Sequence, residues 1–342
     1  MKVLVVERYG CFIGCRNGKV VVRSKREKLA EEPAVNLRVV RVKCRGTSIS
    51  GDFIRLAVRH GIFTVFTSSS GRPIGVVAPF IPKSSILVRR EQYKAYSDYR
   101  CIELARGFIY GKIHNQESLL RSIIKSKRSL DTGVKLILVS TIEELRDLRN
   151  SLYARSFDDV QEARTEILSI EAVAAEKYWS CWKTILPEEL EFPGRRKRSD
   201  MPEDPVNIML NYLYSILSSE VWIALLVSGL DPIAGFLHMD SPRRPGLVYD
   251  LMEEFRAPIV DKVVLNIALK EGGSLKSWID DRMRLTKEAR MLLSSSILEK
   301  LEVKYSYGGV KLPFRLHILR QSRKIVRYLR GMSPRYVPFR WK

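Results

Sequence analysis

Residues 90–125 read REQYKAYSDYRCIELARGFIYGKIHNQESLLRSIIK, and here the hydrophobic period of the chain changes. Through this stretch it runs at about 3.6 residues, the period of an amphipathic helix. Upstream the pattern is different. Short β-branched runs recur, each closed by turn residues: KVLVV, then GCFIGCRNGKVVVRS with an Asn17-Gly18 hairpin turn, then LRVVRVKC, IFTVF and PIGVVA. One helix interrupts them, SGDFIRLAVRHG, with Ser50 as N-cap and Gly61 as its stop. Downstream, TIEELRDLRNSLYARS and FDDVQEARTEILSIEAVAAEKYWSCWKTIL continue the helical period. The Pro-rich run PEELEFPGRRKRSDMPEDPVN reads as a loop, and an apolar helix over 206–229 and further helices follow. Strands first and helices second predict an α+β fold of two domains. A strand-rich N-terminal domain covers 1–85, and a larger all-α domain covers 86–342.

Fifty-nine Lys and Arg against 38 Asp and Glu leave a formal charge of +21, far beyond what solubility requires. Such an excess favours polyanionic partners, nucleic acid first and an anionic membrane second. The five cysteines, Cys11, Cys15, Cys44, Cys101 and Cys181, form no CxxC pair. That argues for a reducing compartment and against a zinc cluster or disulfide framework. The N-terminal apolar run is too short for a signal peptide. Residues 210–230 approach membrane length, but Glu220 at the centre and several serines make this a buried core helix. The expectation is a cytoplasmic protein that does not span a membrane.

The chemistry concentrates in GFLHMDSPRRPGLVYDLMEEFRAPIVD, residues 235–261. Asp250, Glu253 and Glu254 lie within one helical turn, where like charges repel by roughly 0.2–0.5 kcal/mol per pair. Earlier in the chain Glu171 shares a helix face with Ile167, Ala174 and Tyr178. A carboxylate there needs a partner, and a buried salt bridge to an arginine is one answer. His238 follows LDPIAGFL, where Asp231 and Pro232 read as an N-cap and first helical turn. A satisfied core histidine is the plain alternative. Asp250-x-x-Glu253 also has the form of a capping box, with Pro258 ending or kinking the helix. Taken together, two carboxylates and one imidazole on apolar elements make an N/O ligand set. Such a set suits Mg²⁺ or Mn²⁺, and the ion would cancel the repulsion among the acids.

The tract GFLH…LVYDLMEEFR, the segment SIEAVAAEKYW and the run FPGRRKRSDMPEDPVN before an apolar helix resemble the CRISPR-associated adaptation integrase/endonuclease family, which inserts new spacers. The resemblance spans nearly the whole chain and includes the strand-rich start. It implies that Glu171, His238 and Glu253 bind metal and that Asp250 supports the site; Glu254 follows the family's EE pattern without an assigned metal bond. Ala172 replaces a common Gly after the first acid. The implied reaction is transesterification, in which a spacer-DNA 3′-hydroxyl attacks a phosphodiester at the edge of a CRISPR repeat. Water at the same site would cut DNA or RNA. A homodimer joined through the strand-rich domain, and a small adaptation partner protein, are implied as well.

The basic residues expected to hold DNA are Arg195, Arg196, Lys197 and Arg198 in the Pro-flanked loop, Arg243 and Arg244 beside the acids, and Arg320, Arg323, Lys324, Arg327 and Arg330 on one face near the C-terminus. The tail RYVPFRWK reads either as disordered or as a partner contact. Two other functions remain open from residues alone: a non-catalytic basic DNA-binding scaffold, and a structure-specific nuclease with no integration role.

Overall fold

The computed structural model describes residues 2–25, 27–68, 73–78, 85–126, 131–196, 200–238 and 245–342. The chain divides into two compact units, Met1–Leu87 and Val88–Lys342.

The first unit holds two four-stranded sheets. In one, β1 (Lys2–Val6) and β7 (Phe63–Thr67) flank β5 (Leu37–Val42) in parallel, and β8 (Pro73–Val77) closes the edge antiparallel to β7. In the other, the hairpin β2 (Cys11–Arg16) and β3 (Lys19–Ser24) turns at Asn17 and Gly18, both at positive φ as a tight hairpin turn requires. The strand β6 (Ser48–Ile49) joins β2, and β4 (Glu27–Pro33) joins β3. The helix α1 (Gly51–Arg59) is capped by Ser50, whose hydroxyl accepts from the Phe53 amide at 3.1 Å. It buries Phe53 and Ala57 among Ile13, Val20, Leu37 and Val40. The strand β4 was not expected from EKLAEEP. It is an edge strand whose charges pair outward, Glu27 with Arg8 at 2.6 Å and Glu31 with Lys28 at 2.7 Å, so it lacks a core-facing apolar row.

The second unit is built on helices. The expected continuous helix over 90–125 is two: α2 (Ser85–Ala95) and α3 (Tyr99–Ser126). They part at Asp98, whose carboxylate accepts the Arg100 amide at 2.8 Å and grips its guanidinium. Against α3 pack α4 (Thr132–Ser151), α5 (Val160–Ile185) and α7 (Gly246–Phe255). Asp159 caps α5 through the Glu162 amide at 2.7 Å. The apolar helix α6 (Pro205–Val227) is long and apolar enough to cross a membrane, but it is mostly buried in the unit, and Glu220 on it lies 3.2 Å from Arg315.

After α7 the chain widens into a π-helical turn, Arg256–Asp261, and resumes as α8 (Lys262–Glu271). Pro258 lies in that turn: it lacks an amide proton, and the wider turn absorbs the interrupted ladder without ending the helix. Then come α9 (Lys287–Glu302), a hairpin of β9 (Lys304–Tyr307) and β10 (Val310–Pro313), and α10 (Phe314–Leu329). The unit is therefore not purely helical. Gly308 and Gly309, both at positive φ, make the hairpin turn.

Candidate functional site

Asp250 does not cap α7. It lies inside the helix, fully buried, and its carboxylate collects the turn that carries His238. Oδ2 accepts from the amides of Phe236 at 2.6 Å and Leu237 at 3.1 Å. Oδ1 accepts from the His238 amide at 3.1 Å and from the His238 ring N–H at Nδ1, 2.6 Å away. A carboxylate only accepts, so the proton sits on Nδ1 and the neutral ring keeps Nε2 unprotonated. Burial opposes a charged imidazole, but Asp250 outweighs it and His238 titrates above its ordinary value. The expected short helix over 231–238 is absent. Asp231 instead makes a local turn, accepting the Ile233 amide at 2.9 Å, while the Gln92 side chain bonds the carbonyls of Asp231 and Ala234.

Glu171 and Glu253 come from different helices and meet at one cation. The ammonium of Lys112, on α3, ion-pairs with Glu171 Oε1 and stands 2.9 Å from Glu253 Oε2. The other oxygen of Glu253 lies 2.9 Å from the Arg256 guanidinium. Although Lys112 is that close, Glu253 Oε2 is buried without a hydrogen bond of acceptable geometry, so it retains unused acceptor capacity. Burial works against the charge on Glu253, yet Arg256, Lys112 and His238 hold its carboxyl well below the usual range, at about 2. The guanidinium of Arg256 lies 4.6 Å from the ring centre of Tyr214, whose hydroxyl donates to the buried Asp261, as does Tyr178 at 2.9 Å. Sequence reasoning missed Lys112 and Arg256. For Lys112 the available signal was the run of polar residues Lys112, Asn115, Gln116 and Glu117 in the middle of α3, all of them buried.

Among the described residues, no three His, Cys, Asp or Glu side chains are close enough as they lie to enclose a metal ion. The donor chemistry nevertheless fits one. Two glutamates already share a cation, one of their oxygens lacks a hydrogen bond, and a carboxylate fixes the histidine tautomer that leaves the Nε2 lone pair for a metal.

Glu254 has a different task. It is fully buried and accepts from the Tyr336 hydroxyl, the Phe339 amide at 2.7 Å and the Gln321 side chain at 2.9 Å. The C-terminal tail is thus ordered against α3 and α7. Asn115 receives the Trp341 amide at 2.7 Å and donates to the carbonyls of Glu254 and Phe339. Two glycines on α3 make the room: a Cβ on Gly107 would stand 2.5 Å from the Tyr336 ring, and one on Gly111 would stand 3.0 Å from both Glu254 and Pro338.

The basic residues divide. Arg196, Arg323 and Arg327 are exposed. Arg195 bonds Asn207 at 2.9 Å and Asn211 at 2.7 Å and faces the Tyr214 ring, so it serves the start of α6. Arg320 bonds the Tyr307 carbonyl at 2.8 Å, and Lys324 the Val337 carbonyl at 3.1 Å, securing the hairpin and the tail. Lys197, Arg198, Arg243 and Arg244 lie outside the described residues.

Solved structures of the same fold span the chain. A casposase bound to integration product superposes with TM-score 0.70 at 23% identity, covering 98% of this chain and 93% of that one. A chain of a partial Cas6-RT-Cas1–Cas2 complex superposes with TM-score 0.74 at 20% identity, covering 100% and 99%. The architecture is the fold that these structures share. Residues 4–299 match the family described as CRISPR associated protein Cas1, and the chain belongs to that family. The CRISPR-associated endonuclease Cas1 1 of Archaeoglobus fulgidus is 35% identical over 96% of each chain. The CRISPR-associated endonuclease Cas1 of Korarchaeum cryptofilum is 33% identical over 98% of this chain and 97% of its own.

Proposed function

We propose that this member of the Cas1 family is a divalent-metal-dependent endonuclease and integrase of CRISPR adaptation, joining 3′-hydroxyl ends of spacer DNA into the CRISPR repeat by transesterification. The observation that carries this reading is the meeting of Glu171 and Glu253 at one cation, with the Asp250-oriented His238 electrostatically linked to Glu253. Glu171, His238 and Glu253 would hold Mg²⁺ or Mn²⁺. Such an ion polarises a phosphoryl oxygen and neutralises charge that builds up in the transition state.

The protein's own groups orient and exclude. Asp250 keeps the proton on Nδ1 of His238, which makes the imidazole a ligand and not a proton acceptor at that atom. Arg256 fixes one oxygen of Glu253, and the face of Tyr214 fixes Arg256. Exposed Arg196, Arg323 and Arg327 are available to DNA phosphates, contacts that position a duplex without reading its sequence. The curated relatives named endonucleases and the formal charge of +21 support a nucleic-acid substrate.

The deciding experiment is the reverse reaction on a labelled branched duplex that mimics a half-integrated spacer. Strand transfer exchanges one phosphodiester for another, so it runs backward without added energy. Rejoining to a continuous strand with Mn²⁺ or Mg²⁺, and none with EDTA, is the expected result. Cutting without rejoining would favour a plain nuclease, and tight binding with no product a scaffold.

Part of the same proposal is a cytoplasmic homodimer joined through the strand-rich unit and working with DNA and a small adaptation partner protein. Among the described residues the two four-stranded sheets of that unit end on β1, β4, β6 and β8, the strands such pairing would use. Light scattering at micromolar concentration should give the mass of two chains; the mass of one would count against it.

A further inference from the structure

We infer that Lys112 is the resident counter-cation of the acid pair and that a divalent ion enters this site by exchange, driving the ammonium off Glu253. This rests on the proposal above that the site takes Mg²⁺ or Mn²⁺. Each oxygen of Glu253 faces a cation at 2.9 Å, Oε1 the Arg256 guanidinium and Oε2 the Lys112 ammonium, which leaves Oε2 without a hydrogen bond. Arg256 is also packed against the Tyr214 ring, which anchors it, whereas the Lys112 ammonium has an off-line contact with Oε2. An incoming ion that uses Glu253 therefore takes the oxygen that Lys112 holds. The lysine also ion-pairs with Glu171, so the same ion meets the same competitor at its second carboxylate.

The arrangement has a physical purpose. Glu171 and Glu253 are carried on α5 and α7, and Lys112 on α3, between them in the packing. Without Lys112 the two carboxylates would repel across a site where Glu253 is only 4% exposed and keeps Arg256 on one oxygen alone. The ammonium keeps them facing each other before metal arrives. Exchange then replaces one positive charge with two. Metal affinity is correspondingly weaker than the acids alone would give, because the ion must displace a bound charge and not merely water. Lys112 is thus a positioning residue for the metal-free protein and a competitor of the metal.

Two measurements on the full chain test this. In the first, Mn²⁺ binding is titrated by electron paramagnetic resonance at fixed salt for wild type, Lys112→Met and Lys112→Arg, with Glu253→Gln supplying the background of other Mn²⁺ sites. Methionine keeps the apolar stem and removes the charge, and arginine retains the charge. Lys112→Met is expected to bind Mn²⁺ about 10–100-fold more tightly than wild type, with Lys112→Arg close to wild type. In EDTA the Met variant should melt lower than wild type, and saturating Mn²⁺ should raise its melting temperature by more. Equal or weaker Mn²⁺ binding by Lys112→Met overturns the exchange while leaving metal dependence standing. Wild-type binding no greater than the Glu253→Gln background overturns both.

The second measurement needs no variant. Wild-type protein is labelled with an amine-reactive acetyl ester, with and without Mn²⁺, and Lys112 modification is read by peptide mass spectrometry. Metal should raise labelling of Lys112 severalfold, because the ammonium leaves its carboxylates. Labelling unchanged at a Mn²⁺ concentration that fills the site would overturn the exchange.

Discussion

Under the proposed function, Glu253→Gln is expected to fold, to bind DNA, and to lose metal-dependent strand rejoining by roughly a thousandfold or more, since it would remove a charged ligand of the ion proposed to stabilise the reacting phosphate. Glutamine preserves the shape of the side chain on α7 and one carbonyl acceptor. It removes the charge that Lys112 and Arg256 share, each at 2.9 Å. Lys112 then keeps only Glu171, and Arg256 loses its ion pair while Asp261 and Glu171 still act on it, so a stability loss of about 3 kcal/mol should accompany the loss of activity. Rates of rejoining at saturating Mn²⁺, with urea melts of the same preparations, separate the two effects. A rate within an order of magnitude of wild type in a folded variant would remove Glu253 from the reaction.

Glu254→Ala, one residue further on, should cost stability before it costs chemistry. The carboxylate it deletes accepts from the Phe339 amide, Gln321 and Tyr336, all buried, and a methyl group leaves those donors unpaired beside a cavity. A loss of about 3 kcal/mol is expected, with the tail released from α3. Hydrogen exchange at Phe339 and Trp341, together with tryptophan fluorescence, reads the release.

Glu254→Gln is the informative partner. Burial pushes the Glu254 carboxyl up to about 7, against three hydrogen-bond donors that pull it down. An acid whose folded pKa lies above its unfolded one binds its proton more tightly when folded. Its contribution is therefore present below the unfolded pKa and is lost as pH rises toward about 7. Glutamine can keep its oxygen on Phe339 and Gln321 and donate to the Tyr336 hydroxyl, so it fits without a charge. The variant should lose less stability than wild type between pH 5 and pH 7, by thermal melts in matched buffers. An equal slope for the two proteins would show that Glu254 does not titrate there.

Periodicity and residue type determined much of this protein. The β-branched runs before residue 78, the Ser50 cap of α1, and the helical period of α3 through α6 are local properties that follow from side-chain pattern and capping chemistry. The apolar helix face carrying Glu171, the acids Asp250 and Glu253 shortly after His238, and the family resemblance built on these tracts singled out Glu171, His238, Asp250 and Glu253. Where local signals were weak or ambiguous, expectations failed. Edge strand β4 buries no apolar row, the Asp98 break lies inside an unbroken helical period, and Asp250 has a capping-box spacing but sits within its helix.

What only the tertiary structure decided is who pairs with whom. Glu171 and Glu253 are 82 positions apart, and the lysine between them comes from a third helix. The cap-like Asp250 serves His238 and its turn, and Glu254 holds a tail that sequence leaves unplaced. A one-dimensional pattern reports which face of a helix is buried. It does not report which charge from another helix arrives there, because that depends on packing between segments with no local relation to one another.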